Sequence, residues 1–211
     1  MIDEKLYQDY LQALLAGRRV QCRDITQMLI DRQIVIKILY SDLFQRSMYE
    51  IGDLWENNRI TVANEHLATS ITESLLNLVY PSVFATERIG KKAVISCSAN
   101  EFHQVGAKMV ADLFELNGWD GHFLGANTPP EDMARFIDDV QPDVVGLSLS
   151  ITSNIAHLER CIEILKSNFP DMNLLVGGQA FRWGGADIIK KYKNTDLITS
   201  MDDLEKMILN F

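Results

Sequence analysis

Residues 93–114 read AVISCSANEFHQVGAKMVADLF. Ala93 to Cys97 is a short apolar run of buried-strand length, and Val105, Met109, Val110 and Phe114 then recur at helical spacing. The stretch therefore predicts a strand, a loop and an amphipathic helix. The same alternation continues toward the C-terminus, with strands over 119–124 and 144–150 and helices over 131–140 and 154–167. Leu174-Leu175-Val176 with Gly177-Gly178 follows, then a Gly-rich turn into a helix over 186–192, a strand near Leu197-Ile198 and a last helix from Asp202. Five strand–helix alternations predict a parallel, doubly wound sheet.

Before this region the pattern is helical only. Leu6, Tyr10, Leu11, Leu14 and Leu15 share one apolar stripe, and Ile34 to Met48 carry others toward Ile51 and Leu54. Asn57-Asn58 suits a helix stop, and the Thr61 hydroxyl suits a cap for a helix over 62–80. Pro81 and the polar stretch 86–92 read as a linker. The fold class is thus α/β, a bundle of four or five helices over residues 1–85 followed by a doubly wound, Rossmann-like domain over 86–211.

The chain has 211 residues, 47% hydrophobic, and a net charge of −9. The charge is shared between both regions, so neither offers the basic surface of a nucleic-acid binder, and any DNA link is expected to run through a partner. Cys22, Cys97 and Cys161 are far apart and form no CxxC pair, which argues against a disulfide framework and reads as buried apolar packing. The N-terminus is acidic, and no run of 18 apolar residues occurs, so the expectation is a soluble cytoplasmic protein with no membrane partner.

Two spaced constellations carry chemistry: Trp55 followed, after nine intervening residues, by Glu65-His66, and Glu101-Phe102-His103-Gln104-Val105-Gly106 in the first strand-to-helix loop. Together they suggest one large metal-centred cofactor held from two sides. A carboxylate accepting a hydrogen bond from one imidazole N–H fixes the tautomer and leaves the other nitrogen as a metal ligand, a role open to Glu101 and His103. Helix capping by Glu101, with His103 an ordinary loop histidine, is the alternative. Trp55 ends one helix and Glu65-His66 begins the next, so both lie at one end of the bundle; Trp55 as core and Glu65 as a dipole-matched surface residue is the alternative there. Ser148 and Ser150 end one strand with hydroxyls and Gly177-Gly178 end another without side chains, which leaves room for a flat aromatic group or serves turn geometry alone. His122 and His157 read as structural. Gly106 stands without the close-set glycines of a dinucleotide site, so a nicotinamide enzyme is disfavoured.

Assembled in order, Glu101, His103, Gly106, Ser148 and Gly177-Gly178 resemble the cobalamin-binding module of methionine synthase and corrinoid methyl carriers, which joins a helical cap domain to a doubly wound domain. The resemblance implies that His103 displaces the cofactor's benzimidazole and binds cobalt from below. The released tail would pass Ser148, Ser150 and the glycines. Trp55 with Glu65-His66, and Glu rather than Asp at 101, is similar to the light-sensing cobalamin-dependent repressors. There the tryptophan packs over an adenosyl ligand with the glutamate and histidine beside it, and light breaks the cobalt–carbon bond so that the cap rearranges.

Three departures accompany it. The photoreceptors carry a DNA-binding domain before the cap, and only a short acidic tail precedes Tyr7 here. Glu56 stands where some of them have a cobalt-capturing histidine, and Ser150 where many relatives have leucine. The resulting expectation is an adenosylcobalamin-binding sensor signalling light or cofactor status to a partner such as a transcriptional regulator, with homo-oligomerisation open. The alternative is a methylcobalamin-bearing carrier that works with methyltransferases, although Ala107 replaces the basic residue usual after the carrier glycine. A related haem sensor uses the same histidine chemistry. No general acid and nucleophile pair stands out, so independent catalysis is not expected.

Overall fold

A computed structural model describes residues 2–84 and 86–211. Contacts divide the chain into two compact units, Met1–Ser82 and Val83–Phe211.

The first unit is helical. Its rods are α1 (Glu4–Leu15), α2 (Arg19–Asp31), a continuous run of α3 (Ile36–Ile38), a π-helical segment (Leu39–Gln45) and α4 (Arg46–Glu56), and then α5 (Val62–Leu76). Asp3 caps α1 by accepting from the Leu6 N–H, and Thr61 and Asn64 form a reciprocal capping box on α5, which satisfies donors that the first helical turn leaves open. Tyr10, Tyr40, Leu43 and Phe44 are fully buried in the core. Arg46 fastens α1 to α4, with both guanidinium nitrogens 2.9 Å from the Glu4 carboxylate and its charge 3.6 Å from the centre of the Tyr7 ring. A short 3-10 turn leads into α6 (Tyr80–Val83), which contains Pro81. Proline fits there because the first-turn N–H has no intrahelical acceptor, so this residue is helical rather than linker.

In the second unit five parallel strands, β1 (Lys92–Cys97), β2 (Asp120–Gly125), β3 (Val144–Ser148), β4 (Leu174–Gly177) and β5 (Thr195–Ile198), lie in the order β2-β1-β3-β4-β5. The connecting helices are α7 (Val105–Leu116), α8 (Pro130–Val140), α9 (Ile155–Asn168) and α10 (Met201–Ile208). Val94, Val145, Leu147 and Val176 pack with Met133 and Ile137 of α8 and Leu158, Ile162 and Leu165 of α9 in one dry core. α7 packs on β1 and β2 and also against α10. Burial on both faces is why the central strands are unbroken apolar runs. The chain reverses its direction of travel between β1 and β3, and the loops after these strands flank that switch point.

Two local expectations change. β3 ends at Ser148 rather than Ser150, because the Ser150 and Ile151 N–H groups turn away from the sheet to donate to Glu101. The helix expected over 186–192 is a 3-10 segment, Ala186–Lys191, entered through Gly185 at φ 83°.

Candidate functional site

The site of the second unit is built on the turn that leaves β1. The Ser98 N–H donates to the Ser148 carbonyl (3.0 Å), and the Glu101 N–H closes the turn on the Ser98 carbonyl (3.1 Å). Asn100 takes the left-handed position at φ 61°, which asparagine tolerates better than most side chains.

This turn buries the Glu101 side chain completely. One carboxylate oxygen accepts from the His103 backbone N–H (3.0 Å) and lies 2.6 Å from His103 Nδ1. The other accepts from the N–H groups of Ser150 (2.8 Å) and Ile151 (3.0 Å), across the switch point. Burial pushes the carboxyl pKa up, but the His103 ring and the backbone N–H groups of His103, Ser150 and Ile151 outweigh it and hold the group at about 2. The carboxylate is therefore ionised at neutral pH and can only accept, so the proton on the imidazole sits at Nδ1. The His103 side chain remains 42% exposed, at the entry to α7.

Around this pair the loops supply shape. Ser148 ends β3 beside Gly177 of β4. Gly178 has φ 113°, and a Cβ there would stand 2.1 Å from the Leu149 carbonyl oxygen; at Gly177 it would stand 2.9 Å from that of Ile198. The chain's own backbone thus requires this pair to be glycine. Gly106 differs: it lies in α7 with nothing within 4 Å of an added Cβ. Its missing side chain leaves open space beside His103, which fits close approach by a flat group from outside. Ser150 contributes its backbone to Glu101.

Sequence reasoning passed over an asparagine cluster on the same turn. Asn127, after β2, accepts from the Asn100 N–H (2.9 Å) and donates its own N–H to the Glu101 carbonyl (3.0 Å), while the Asn154 amide donates to the Asn100 carbonyl (3.0 Å). His157, read as structural, has both ring nitrogens within 3.1–3.3 Å of the Asn100 amide nitrogen. The usable signal was asparagine in strand-to-helix loops, where left-handed turns favour it. Phe102, between Glu101 and His103, is 66% exposed. His122 packs edge-on against Phe136.

In the helical unit, Trp55 lies in the last turn of α4 and Glu65-His66 in the opening turns of α5. Glu65 is buried, accepting from the Thr69 hydroxyl (2.8 Å) and lying 2.6 Å from His66 Nδ1. The His66 side chain is 73% exposed, and the Trp55 ring is partly exposed. The unit thus presents its own carboxylate-oriented imidazole. Among the described residues no group of three or more His, Cys, Asp or Glu could hold a metal ion. A single oriented imidazole instead suits a metal that brings its own equatorial ring.

Two family descriptions, each "B12 binding domain", match residues 6–80 and 91–199. The chain belongs to the B12-binding family. As a member of that family it is a cobalamin-binding protein, and the Glu101–His103 turn falls inside the matched region. It is 28% identical over 145 residues to the HTH-type transcriptional repressor CarH of Myxococcus xanthus, covering 68% of this chain and 48% of the repressor. It is 23% identical over 199 residues to dimethylamine corrinoid protein 1 of Methanosarcina acetivorans, covering 90% of each. The chain spans about half the length of the curated repressors it matches. The monomethylamine corrinoid protein of Methanosarcina barkeri superposes with a TM-score of 0.84 over 99% of both chains at 12% identity, a likeness of fold. No helix among the described residues is long and apolar enough to cross a membrane.

Proposed function

We propose that the protein is a cobalamin-dependent sensor that holds adenosylcobalamin through His103 and passes light or cofactor status to a partner protein. The observation that carries the binding half is the buried Glu101 carboxylate 2.6 Å from His103 Nδ1. It fixes the tautomer and the orientation of the ring, leaving Nε2 as the nitrogen available to a metal. Gly106 has open space where a side chain would stand, and Gly106, Ser148, Ser150, Gly177 and Gly178 are proposed to line the cofactor and the path of its nucleotide tail. When bound, the cofactor supplies a cobalt–carbon bond that light can break.

The sensor half rests on the helical unit. Glu65 is held by Thr69, next to His66 and at the same end of the bundle as Trp55. A fixed carboxylate and an exposed indole suit a nucleoside's hydroxyls and aromatic face, so Trp55, Glu65 and His66 are proposed as contacts to the adenosyl group. The net charge of −9 favours a protein partner, such as a transcriptional regulator, over direct binding to nucleic acid.

A second reading, a corrinoid methyl carrier serving methyltransferases, is favoured by the 90% mutual coverage with the dimethylamine corrinoid protein. One experiment separates the two. The chain is loaded in the dark with adenosyl- or methylcobalamin and illuminated while its absorption spectrum and oligomeric state are followed. Assembly change with the adenosyl form alone, weakened by Glu65→Ala, supports the sensor. Stable methylcobalamin binding and methyl exchange with a methyltransferase, indifferent to Glu65→Ala, supports the carrier. A chain that binds neither cobalamin overturns both.

A further inference from the structure

We infer that Asn127 is a positioning residue for the imidazole proposed above to ligate cobalt, an inference that rests on that reading of His103. Every polar backbone group of Asn100 and Glu101 is tied down, one within the turn and three from other loops. Glu101 N–H is held by Ser98, Asn100 C=O by the Asn154 amide, and both Asn100 N–H and Glu101 C=O by Asn127. Asn127 uses side chain and backbone together, so one residue brackets the Asn100-Glu101 dipeptide from which the Glu101 carboxylate is aimed. It does so from the β2–α8 loop, an element that supplies neither Glu101 nor His103.

Asn100 at φ 61° and Asn127 at φ 52° both sit in the left-handed region, which asparagine tolerates better than most side chains, so the bracket forms without glycine. The Glu101 oxygens already serve four donors, so a rotation of this turn would break the Nδ1 contact before the side chain could follow. Asn127 acts through Glu101 and does not itself meet cobalt.

The test compares Asn127→Gly, which keeps the left-handed backbone and loses the acceptor, with Asn127→Asp, which keeps both. Each is loaded with cobalamin and reduced to the cobalt(II) form, and electron paramagnetic resonance is recorded with ordinary and heavy-nitrogen-labelled histidine. In the parent chain the nitrogen splitting should follow the label. In Asn127→Gly the ratio of histidine-bound to histidine-free cobalt should fall about tenfold, the lower end of what loss of an outer-shell partner costs a metal site, and Asn127→Asp should restore it. In the cofactor-free chain, the His103 ring nitrogen resonances of Asn127→Gly should move toward the tautomer mixture of a solvated histidine. If Asn127→Gly does not fold, Asn154→Ala, which removes the bond to Asn100 C=O, is read in the same way. Splitting and tautomer unchanged from the parent overturn the inference. A parent chain whose splitting ignores the label overturns the cobalt reading of His103 itself.

Discussion

Glu101 and Ser150 are 49 residues apart in sequence, and the Ser150 N–H donates to the Glu101 carboxylate at 2.8 Å. This bond crosses the switch point of the sheet and converts a two-residue motif into a fixed geometry. It also ends β3, so the strand boundary and the orientation of the His103 imidazole are one event.

Replacing Glu101 with alanine removes the acceptor for three backbone N–H groups, of which those of Ser150 and Ile151 lie in a loop the substitution does not otherwise touch. Buried donors left without partners cost free energy, so unfolding by urea should show a loss of about 3 kcal/mol. Cobalamin affinity, followed by absorbance titration, should fall roughly 10–100-fold. A variant with parental affinity would deny the carboxylate its orienting role.

The same carboxylate makes the cofactor-free chain acid-sensitive. Its folded-state pKa, about 2, lies below the ordinary glutamate value of 4.5, so the stabilisation is complete above the unfolded-state value and is lost as pH falls from about 4.5 toward 2. The full difference is worth on the order of 3 kcal/mol. Denaturant midpoints of the parent should drop across that window, and those of Glu101→Gln should drop less.

Gly106 and Gly178 should respond oppositely to alanine. At Gly178 the new Cβ meets the Leu149 carbonyl oxygen at 2.1 Å with φ at 113°, and destabilisation of about 3 kcal/mol or failure to fold is expected. At Gly106 nothing lies within 4 Å, so the cofactor-free chain should be as stable or up to about 1 kcal/mol more stable through helix propensity. Its cobalamin affinity should nevertheless fall. Thermal melts and binding titrations on both variants check this pair of signs.

The three cysteines are free and buried. Burial pushes the thiols of Cys97 and Cys161 up to about 12 and that of Cys22 to about 11. Thiolate is the reactive species, so alkylation at neutral pH should be negligible in the folded chain and complete in denaturant. Fast modification of the native protein, measured by mass spectrometry, would contradict this packing.

Much of this architecture was written in local pattern. The apolar run of β1 and the helical stripe of α7, repeated down the chain, specify a parallel sheet because period and run length depend only on neighbours in sequence. Thr61 as a cap and the helical character of residues before 84 were legible for the same reason. Pro81 and residues 186–191 were less so, since proline at a helix start and a glycine-led 3-10 turn differ from linker and helix only in dihedral angles. The order Glu101, His103, Gly106 and the Trp55 to His66 spacing were visible as residue types.

What sequence alone determined, then, is the set of elements and the residues capable of chemistry, because these follow from composition and short-range periodicity. Tertiary structure decided the state of those residues. Only chain reversal at the switch point brings the Ser150 and Ile151 amides to Glu101, and only the β2–α8 loop brings Asn127 to Asn100. Hydrogen bonds between segments tens of residues apart have no periodic signature, so the ionised carboxylate and the oriented imidazole appear once the sheet has formed.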